Sequence, residues 1–292
     1  MNPVLPALAL AFNALVWGVS WWPFRQLQAL GVHPLWATAI VFIFSLGCVL
    51  IAWPHAWRGF AGRPLMWLLM LATGMTNAGF NWAVTEGDVV RVVLLFYLMP
   101  AWSVMLAWPL LGEKPTAASL LRVVLALVGV AVVLKAPGMV WPLPQGLADW
   151  LAVAGGFSFA LTNILLRRMG DAPTEARVLS MFSGGAIVGT AAAMLGVAQG
   201  FVAPMPAPAL PWLLLAAVLA LGFMASNLAL QYGASRLPAH SSSLIMLSEV
   251  IFASLSSWAL GAGEISARTL AGGALIVLAA VLSAWPQKAA AH

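Results

Sequence analysis

One acidic residue lies in the middle of a long apolar run. Glu249 falls within an apolar segment near 239–261, whereas the other acidic residues lie at segment ends or in loops. A carboxyl group at such a depth is costly unless it faces a cavity or a partner. At helical spacing it shares a face with Ser242, Met246, Ala253 and Ser256. We favour a functional role for Glu249, which would bind an ammonium group or exchange a proton. The alternative is a structural role, as a buried carboxyl bonded to another helix.

Amide and hydroxyl side chains recur inside other apolar runs. The residues concerned are Asn13, Thr73, Asn77, Asn81, Thr85, Ser158, Thr162, Asn163, Asn227 and Gln231. Asn77 and Asn81 are four residues apart and share a helix face, as do Asn227 and Gln231. Unpaired amides are expensive in hydrocarbon, so they either line a wet pathway or bond neighbouring helices together. With the Glu249 run, these four runs make five that carry polar stripes, and that number favours a central cavity over independent structural bonds.

Four aromatic residues lie inside apolar runs and not at their ends. They are Trp17, Trp82, Tyr97 and Trp102. An aromatic wall suits a ligand with a ring or an ammonium group, through stacking and cation–π contacts. The alternative is that these rings anchor the chain at a membrane interface or face lipid. For Tyr97 and Trp102, which flank Pro100, we favour the cavity.

The composition identifies the environment in which these residues act. The 292-residue chain is 63% hydrophobic and 7% charged. Soluble domains average about 25% charged residues, so this chain is predicted to be an all-α protein with many membrane spans. Runs of about 20 apolar residues suffice to cross a bilayer. About ten such runs are found, near 4–24, 35–54, 65–86, 90–111, 116–135, 147–167, 177–200, 210–233, 239–261 and 268–286.

The second half of the chain repeats the pattern of the first. Gly112-Glu113 and Gly263-Glu264 each separate two apolar runs, and the spacing 264 − 113 = 151 is about half of the 292 residues. We therefore predict two related five-helix halves, 1–138 and 144–287. The glycine- and proline-rich stretch 136–146 is the predicted linker. Capping of the following helices, near Thr116 and Ser266, is the favoured role of the two breaks.

The basic residues predict the orientation of the two halves. With the N-terminus in the cytoplasm, nine of the thirteen Lys and Arg residues fall on the cytoplasmic side. The four that fall outside are Arg25, Arg91, Lys135 and Arg268. The positive-inside rule favours this arrangement, with both termini cytoplasmic. Because each half has an odd number of spans, the halves form an inverted repeat, which is typical of secondary transporters. Arg91 is expected to pair locally with Glu86 or Asp88.

Short motifs resemble those of the drug/metabolite transporter superfamily and its EamA domain. They are Trp17-Gly18-Val19-Ser20, Leu98-Met99-Pro100 with Gly112-Glu113, and Glu249 with Gly263-Glu264. The stretch from Asn77 to Trp102 is most similar to YddG-type exporters of aromatic and other amino acids. The second copy departs from the family pattern because Glu249 precedes Val250 where Pro is usual. The resemblance implies a bacterial-type inner membrane.

The predicted function is a secondary transporter that exports amino acids by alternating access around a central cavity. The predicted substrate-binding residues are Trp17, Asn77, Asn81, Trp82, Tyr97, Trp102, Ser158, Asn163, Asn227, Gln231, Met246 and Glu249. No cofactor, metal or nucleic acid is expected, and the chain would act as a monomer or weak homodimer. The sequence lacks an ATP-binding loop and catalytic motifs, so an enzyme is not expected. Export of other metabolites or cationic drugs is one alternative, and a membrane enzyme or assembly factor is another.

Overall fold

The computed structural model describes residues 4–60, 62–135, 143–234, 236–237, 245–246, 248–262 and 266–284. Within these ranges, the side chains at 100, 134, 231, 234, 280, 283 and 284 are not described. The predicted site residue Gln231, the stripe residue Ser242 and the second Gly-Glu break at 263–264 therefore lie outside the described side chains. Most of the linker stretch 136–146 also lies outside them.

The described chain is all helical, as the composition predicts. Its α-helices are α1 (Val4–Val19), α2 (Trp21–Ala29), α3 (Pro34–Ala52), α4 (Leu65–Glu86), α5 (Val89–Phe96), α6 (Met99–Leu111), α7 (Ala117–Leu134), α8 (Leu147–Arg168), α9 (Thr174–Ala198), α10 (Leu210–Ala234), α11 (Ser248–Ala259) and α12 (Ala267–Ala284). A 3₁₀ helix, Ala56–Phe60, follows α3.

Six helical segments of the described chain are long and apolar enough to cross a bilayer. They are Val4–Ala29, Pro34–Ala52, Val89–Leu111, Leu147–Arg168, Thr174–Ala198 and Leu210–Leu230. Shorter apolar stretches lie at Ala117–Val133 and Ala267–Ala279. The 22-residue helix α4 is not among the six because its Thr and Asn stripe lowers its hydropathy. The fold is an integral membrane bundle, while the count of ten spans stays a prediction.

Two predicted spans are interrupted helices. The first bends at Ser20, whose backbone N–H and hydroxyl both donate to the carbonyl of Trp17, at 3.2 and 2.8 Å. The fourth breaks between α5 and α6 at Tyr97 and Leu98, and Pro100 lies in the first turn of α6. Proline has no N–H to donate to the carbonyl four residues earlier, so it is tolerated at the start of a helix and interrupts a continuous one.

Helices α1 to α7 contact helices α8 to α12, and these contacts occur in matching pairs. The match places α8, α9, α10, α11 and α12 opposite α1, α3, α4, α5 with α6, and α7. Contact of α1 with α10 matches contact of α8 with α4, and contact of α1 with α11 matches contact of α8 with α5 and α6. Contact of α3 with α10 likewise matches contact of α9 with α4. The remaining large contacts join corresponding helices, which are α3 with α9, α5 with α11 and α7 with α12.

Glycines bring two of these corresponding pairs into close contact, and both pairs run antiparallel. A Cβ atom added to Gly189 would lie 3.1 Å from the backbone nitrogen of Ala39, and Gly185 approaches the ring of Phe42. Gly185 and Gly189 are four residues apart, and such a pair of small residues lets two helices pack closely. In α7 and α12, a Cβ on Gly129 would lie 2.7 Å from the carbonyl oxygen of Gly272.

Charged residues gather at the two ends of the bundle. At one end, which we name the Arg91 end, Arg25 donates to the carbonyl of Gly87 at 2.5 Å, and Arg268 donates to the carbonyl of Lys135. The four basic residues predicted to share one side thus lie together. The opposite end, named the Glu113 end, holds the ion pairs Arg167–Glu113 at 2.6 Å and Arg63–Asp171 at 3.6 Å.

The prediction that Arg91 pairs with Glu86 or Asp88 is wrong. Its guanidinium binds both carboxylate oxygens of Asp149 on α8, while Asp88 caps α5 by accepting from the backbone N–H of Arg91. Long-range packing brings α8 against α5, and the sequence carries no local signal for that contact.

The predicted caps of α7 and α12 are present. Thr116 and Ser119 form a reciprocal capping box at the start of α7, and the Ser266 hydroxyl accepts from the backbone N–H of Thr269. Before α7, the chain leaves α6 at Gly112, whose φ of 75° favours glycine. The break between the two apolar runs is therefore a turn followed by a cap.

We expect Thr116→Ala to lower the free energy of unfolding by about 1 kcal/mol, because a backbone N–H loses its cap. Unfolding of the purified protein in detergent measures this effect. Thr190→Ala is the matched control, since Thr190 donates to the carbonyl of Ala186 in its own helix and does not cap a helix end. Equal stability of the two variants would show that the cap contributes nothing.

Candidate functional site

A hydrogen bond between Tyr97 and Glu249 lies at the centre of the candidate site. The Tyr97 hydroxyl donates to Oε2 of Glu249 at 3.1 Å and lies 3.3 Å from the carbonyl oxygen of Met246. Tyr97 is 2% exposed and Glu249 is 9% exposed. The structure therefore brings together three of the residues predicted from sequence, although they come from segments about 150 residues apart.

The local backbone explains why these two side chains meet. Tyr97 ends α5 at the break before α6, and Glu249 lies in the first turn of α11. The two residues are 152 positions apart, close to the 151-residue spacing of the Gly-Glu breaks. The hydrogen bond therefore joins nearly equivalent positions of the two stretches that the Gly-Glu breaks relate.

The backbone of α11 at Glu249 and Ala253 packs closely against α1. A Cβ added to Gly18 would lie 2.8 Å from the carbonyl oxygen of Glu249, so only glycine permits this approach. Two turns after Glu249, Ser256 accepts a hydrogen bond from Nε1 of Trp21 at 2.9 Å. Gly18 of the Trp-Gly-x-Ser motif thus allows α1 to pack directly against the backbone of Glu249.

A second, equivalent crossing was missed in the sequence. A Cβ added to Gly156 of α8 would lie 2.5 Å from the carbonyl oxygen of Phe96, which directly precedes Tyr97. The stretch Gly155-Gly156-Phe157-Ser158 repeats the spacing of Trp17-Gly18-Val19-Ser20, with glycine and serine two residues apart. The signal was present, but without the tryptophan it is too short to distinguish from ordinary glycine packing.

Aromatic rings surround the crossing helices. Trp17 stacks on Phe223, with centroids 4.4 Å apart and planes at 17°, and meets Phe80 edge-on at 6.4 Å. Phe80 in turn contacts Phe96 at 4.8 Å, and Phe96 contacts the ring of Tyr97. The wall is thus continuous from Trp17 to Tyr97. Its phenylalanines carry no polar group and could not be told from ordinary core residues in the sequence.

Trp102 adds an aromatic ring with a buried donor. Its indole meets Phe157 edge-on at 5.6 Å and packs against the same core as Tyr97. The buried indole Nε1–H has no hydrogen-bond partner among the described residues. Buried donors are normally satisfied, so a buried N–H without a partner in the described part of the chain is unusual.

Several predicted site residues make contacts elsewhere. Trp82 stacks parallel to Phe201 at 6.1 Å and meets His33 edge-on, in a cluster separate from Tyr97. Burial lowers the pKa of His33, which favours the neutral imidazole beside that ring. Asn81 is fully buried and donates to Oγ1 of Thr38 on α3 at 3.1 Å, which is the structural bond considered as an alternative.

The other predicted amides differ in exposure. Asn77 is half-buried and donates to the carbonyl of Thr73 in its own helix at 2.7 Å. Asn163 is exposed and Asn227 is half-buried, while Ser158 is buried and lies in the glycine crossing of α8. Asn13, on the face of Trp17, donates to the hydroxyl of Ser226 at 2.6 Å and so bonds α1 to α10.

Comparisons with known proteins agree with this architecture. The model of the EamA-like transporter family matches the chain twice, over residues 4–135 and 146–285. The Pseudomonas aeruginosa protein called uncharacterized transporter PA0485 is 26% identical over 161 residues, or 53% of this chain and 51% of that relative. The chain thus aligns with about half the length of that relative. A crystal structure described only as that of a protein matches with a TM-score of 0.57 and 20% identity over 95% of both chains, which shows the fold alone.

Proposed function

Because the chain belongs to the EamA-like transporter family, we propose that it exports amino acids, aromatic ones included, by alternating access. Membrane transport of a solute follows from the family, while the amino-acid substrate and the mechanism are our proposal. The observation that carries it is the buried carboxyl of Glu249, bonded to Tyr97 at the meeting point of the two halves and next to a wall of aromatic rings.

The proposed mechanism rests on two inverted repeats, 1–138 and 144–287. If the helices of one half are exchanged for their counterparts in the other, each large contact between the halves becomes another observed contact. A two-fold relation between the halves requires this. The corresponding helices α3 and α9 cross antiparallel, and so do α7 and α12. An axis along the membrane normal would make such helices parallel, so these contacts support an axis in the membrane plane.

The proposed orientation follows from the charges at the two ends. The Arg91 end holds the four basic residues expected outside, whereas Arg63, Arg167 and Arg168 at the Glu113 end belong to the nine expected in the cytoplasm. The positive-inside rule therefore supports a cytoplasmic Glu113 end, with the N-terminus on that side. Export would then carry a solute from the Glu113 end to the Arg91 end.

The residues of the site match the groups of an aromatic amino acid. Glu249 would accept hydrogen bonds from the ammonium group, taking the place of the Tyr97 hydroxyl. Trp17, Phe80 and Phe223 offer faces and edges for the side-chain ring. The unpaired indole N–H of Trp102 would donate to the carboxylate.

One observation favours the alternative of cationic metabolites or drugs. Arg25 and Arg91 bind backbone carbonyls and Asp149 at the Arg91 end. The described site thus offers a carboxylate to a cation but no basic side chain to a carboxylate. A membrane enzyme is the less favoured class, since the family model that matches both halves is one of transporters.

Uptake by proteoliposomes tests the proposal. We expect labelled Phe and Trp to accumulate above protein-free liposomes, whereas a nucleotide sugar, which carries phosphates and no ammonium group, should not. Labelled Thr separates a general amino-acid exporter from an aromatic one. Uptake of a lipophilic cation alone would contradict the amino-acid proposal and support the alternative.

A further inference from the structure

Three ion pairs among the described residues connect the two halves of the chain, and they differ sharply in burial. Two of them lie at the Glu113 end. In Arg167–Glu113 the side chains are 60% and 52% exposed, and in Arg63–Asp171 they are 35% and 80% exposed. At the Arg91 end, Arg91–Asp149 has side chains only 22% and 8% exposed. The connection between the halves is therefore much drier at the Arg91 end.

The Arg91–Asp149 pair is also held by further hydrogen bonds. Nε and Nη2 of Arg91 donate to the two carboxylate oxygens of Asp149 at 2.8 and 2.7 Å. Nη1 of Arg91 donates to the carbonyl of Val133 at 2.8 Å, and the backbone N–H of Gln145 donates to Asp149 at 3.0 Å. A single pair thus joins α5, α7, α8 and the chain before α8.

The repeat offers no equivalent pair at the other end. With a spacing of 151, the counterpart of Arg91 is residue 242, within the run Ser-Ser-Ser at 241–243. At the start of the two halves the glycine crossings give a spacing of 156 − 18 = 138, which makes Ala11 the counterpart of Asp149, and residues 4–12 contain no charged side chain. Two identical halves would close the two ends of the bundle equally well. Because, among the described residues, only the Arg91 end has this buried pair, the sequences of the halves favour closure at that end.

We propose that Arg91 and Asp149 form a latch that keeps the Arg91 end closed in the resting transporter, so that the solute enters from the Glu113 end. This inference rests on the alternating access in the proposed function and adds the resting state and the residues that set it. Breaking a buried pair leaves an uncompensated charge, whereas exposed pairs contribute little. Opening at the Arg91 end must break the latch, and opening at the Glu113 end breaks only exposed pairs.

Spin-label distances in the substrate-free protein test the latch. Labels at Leu30 and Leu147, both exposed and one on each half at the Arg91 end, report its opening after Cys48→Ser removes the native cysteine. We expect one short distance in the parent and a longer distance in Asp149→Asn, with the open-to-closed ratio raised at least about tenfold. Arg167→Gln at the opposite end is the matched control, with a change below about fivefold.

The charge exchange Arg91→Asp with Asp149→Arg should restore the short distance. A folded, monodisperse Asp149→Asn protein with the parent distance distribution would overturn the latch, and so would a charge exchange that stays open. If Asp149→Asn does not fold, Arg91→Gln replaces it with the same expected result. The distances need no solute, so failure to transport amino acids would count against the proposed function and leave the latch standing.

Discussion

Glu249→Gln is expected to abolish most solute transport while the protein still folds and reaches the membrane. Glutamine has nearly the same shape, and its carbonyl can still accept the hydrogen bond of Tyr97. It lacks the negative charge that holds an ammonium group, and losing one partner of such a buried pair costs about 2–5 kcal/mol. Uptake at low solute concentration in proteoliposomes should therefore fall by about thirtyfold or more.

The matched control for this prediction is Glu113→Gln. Glu113 belongs to the Gly-Glu break, is 52% exposed, and pairs with Arg167 at the end of the bundle. We expect its loss to change uptake by less than about fivefold, as for other exposed ion pairs. Full transport by Glu249→Gln at every pH tested would remove Glu249 from the mechanism, whether as a ligand or as a proton carrier.

Alanine at either glycine crossing should be strongly destabilising. The new Cβ would meet the carbonyl oxygen of Phe96 in Gly156→Ala and that of Glu249 in Gly18→Ala. Backbone atoms cannot rotate away as a side chain can, so the helices must separate, at an expected cost of about 1–3 kcal/mol. Both contacts adjoin the Tyr97–Glu249 bond, and we expect uptake to fall with stability.

Gly47→Ala separates this steric effect from the general properties of glycine. Gly47 lies within α3, and an added Cβ would have no atom within 4 Å. Alanine is the better helix former, so this variant should be unchanged or more stable by about 0.5–1 kcal/mol. If all three alanine variants unfold alike in detergent, the close crossings do not determine stability.

Features that depend on local sequence could be predicted well. Apolar runs located most of the helices, Pro100 marked the interruption of the fourth span, and Thr116 and Ser266 marked the starts of α7 and α12. The depth of Glu249 in its run identified it as the residue to examine. Each of these signals lies within about one helix length, where chain geometry alone determines which residues are neighbours.

Features that depend on contacts between the halves could not be predicted in the same way. Asp149, the partner of Arg91, is 58 residues away, and nearer acids made a local pair the simpler interpretation. Trp82 shares a helix with Asn77, yet its ring packs on Phe201 in another cluster. The role of Gly156 in close helix packing depends on Phe96, which lies 60 residues earlier in the chain. Helical spacing gives the direction of a side chain but not the element that it meets.

Recognition of an ammonium group by Glu249 between the two halves is the central claim, and three labelled solutes with the same ring test it most directly. Phenylalanine carries both charged groups, phenethylamine only the ammonium group, and 3-phenylpropionate only the carboxylate. We expect proteoliposomes to take up the two ammonium-bearing solutes, to exclude 3-phenylpropionate, and to lose this discrimination in Glu249→Gln. Uptake of 3-phenylpropionate equal to that of phenethylamine would contradict the account.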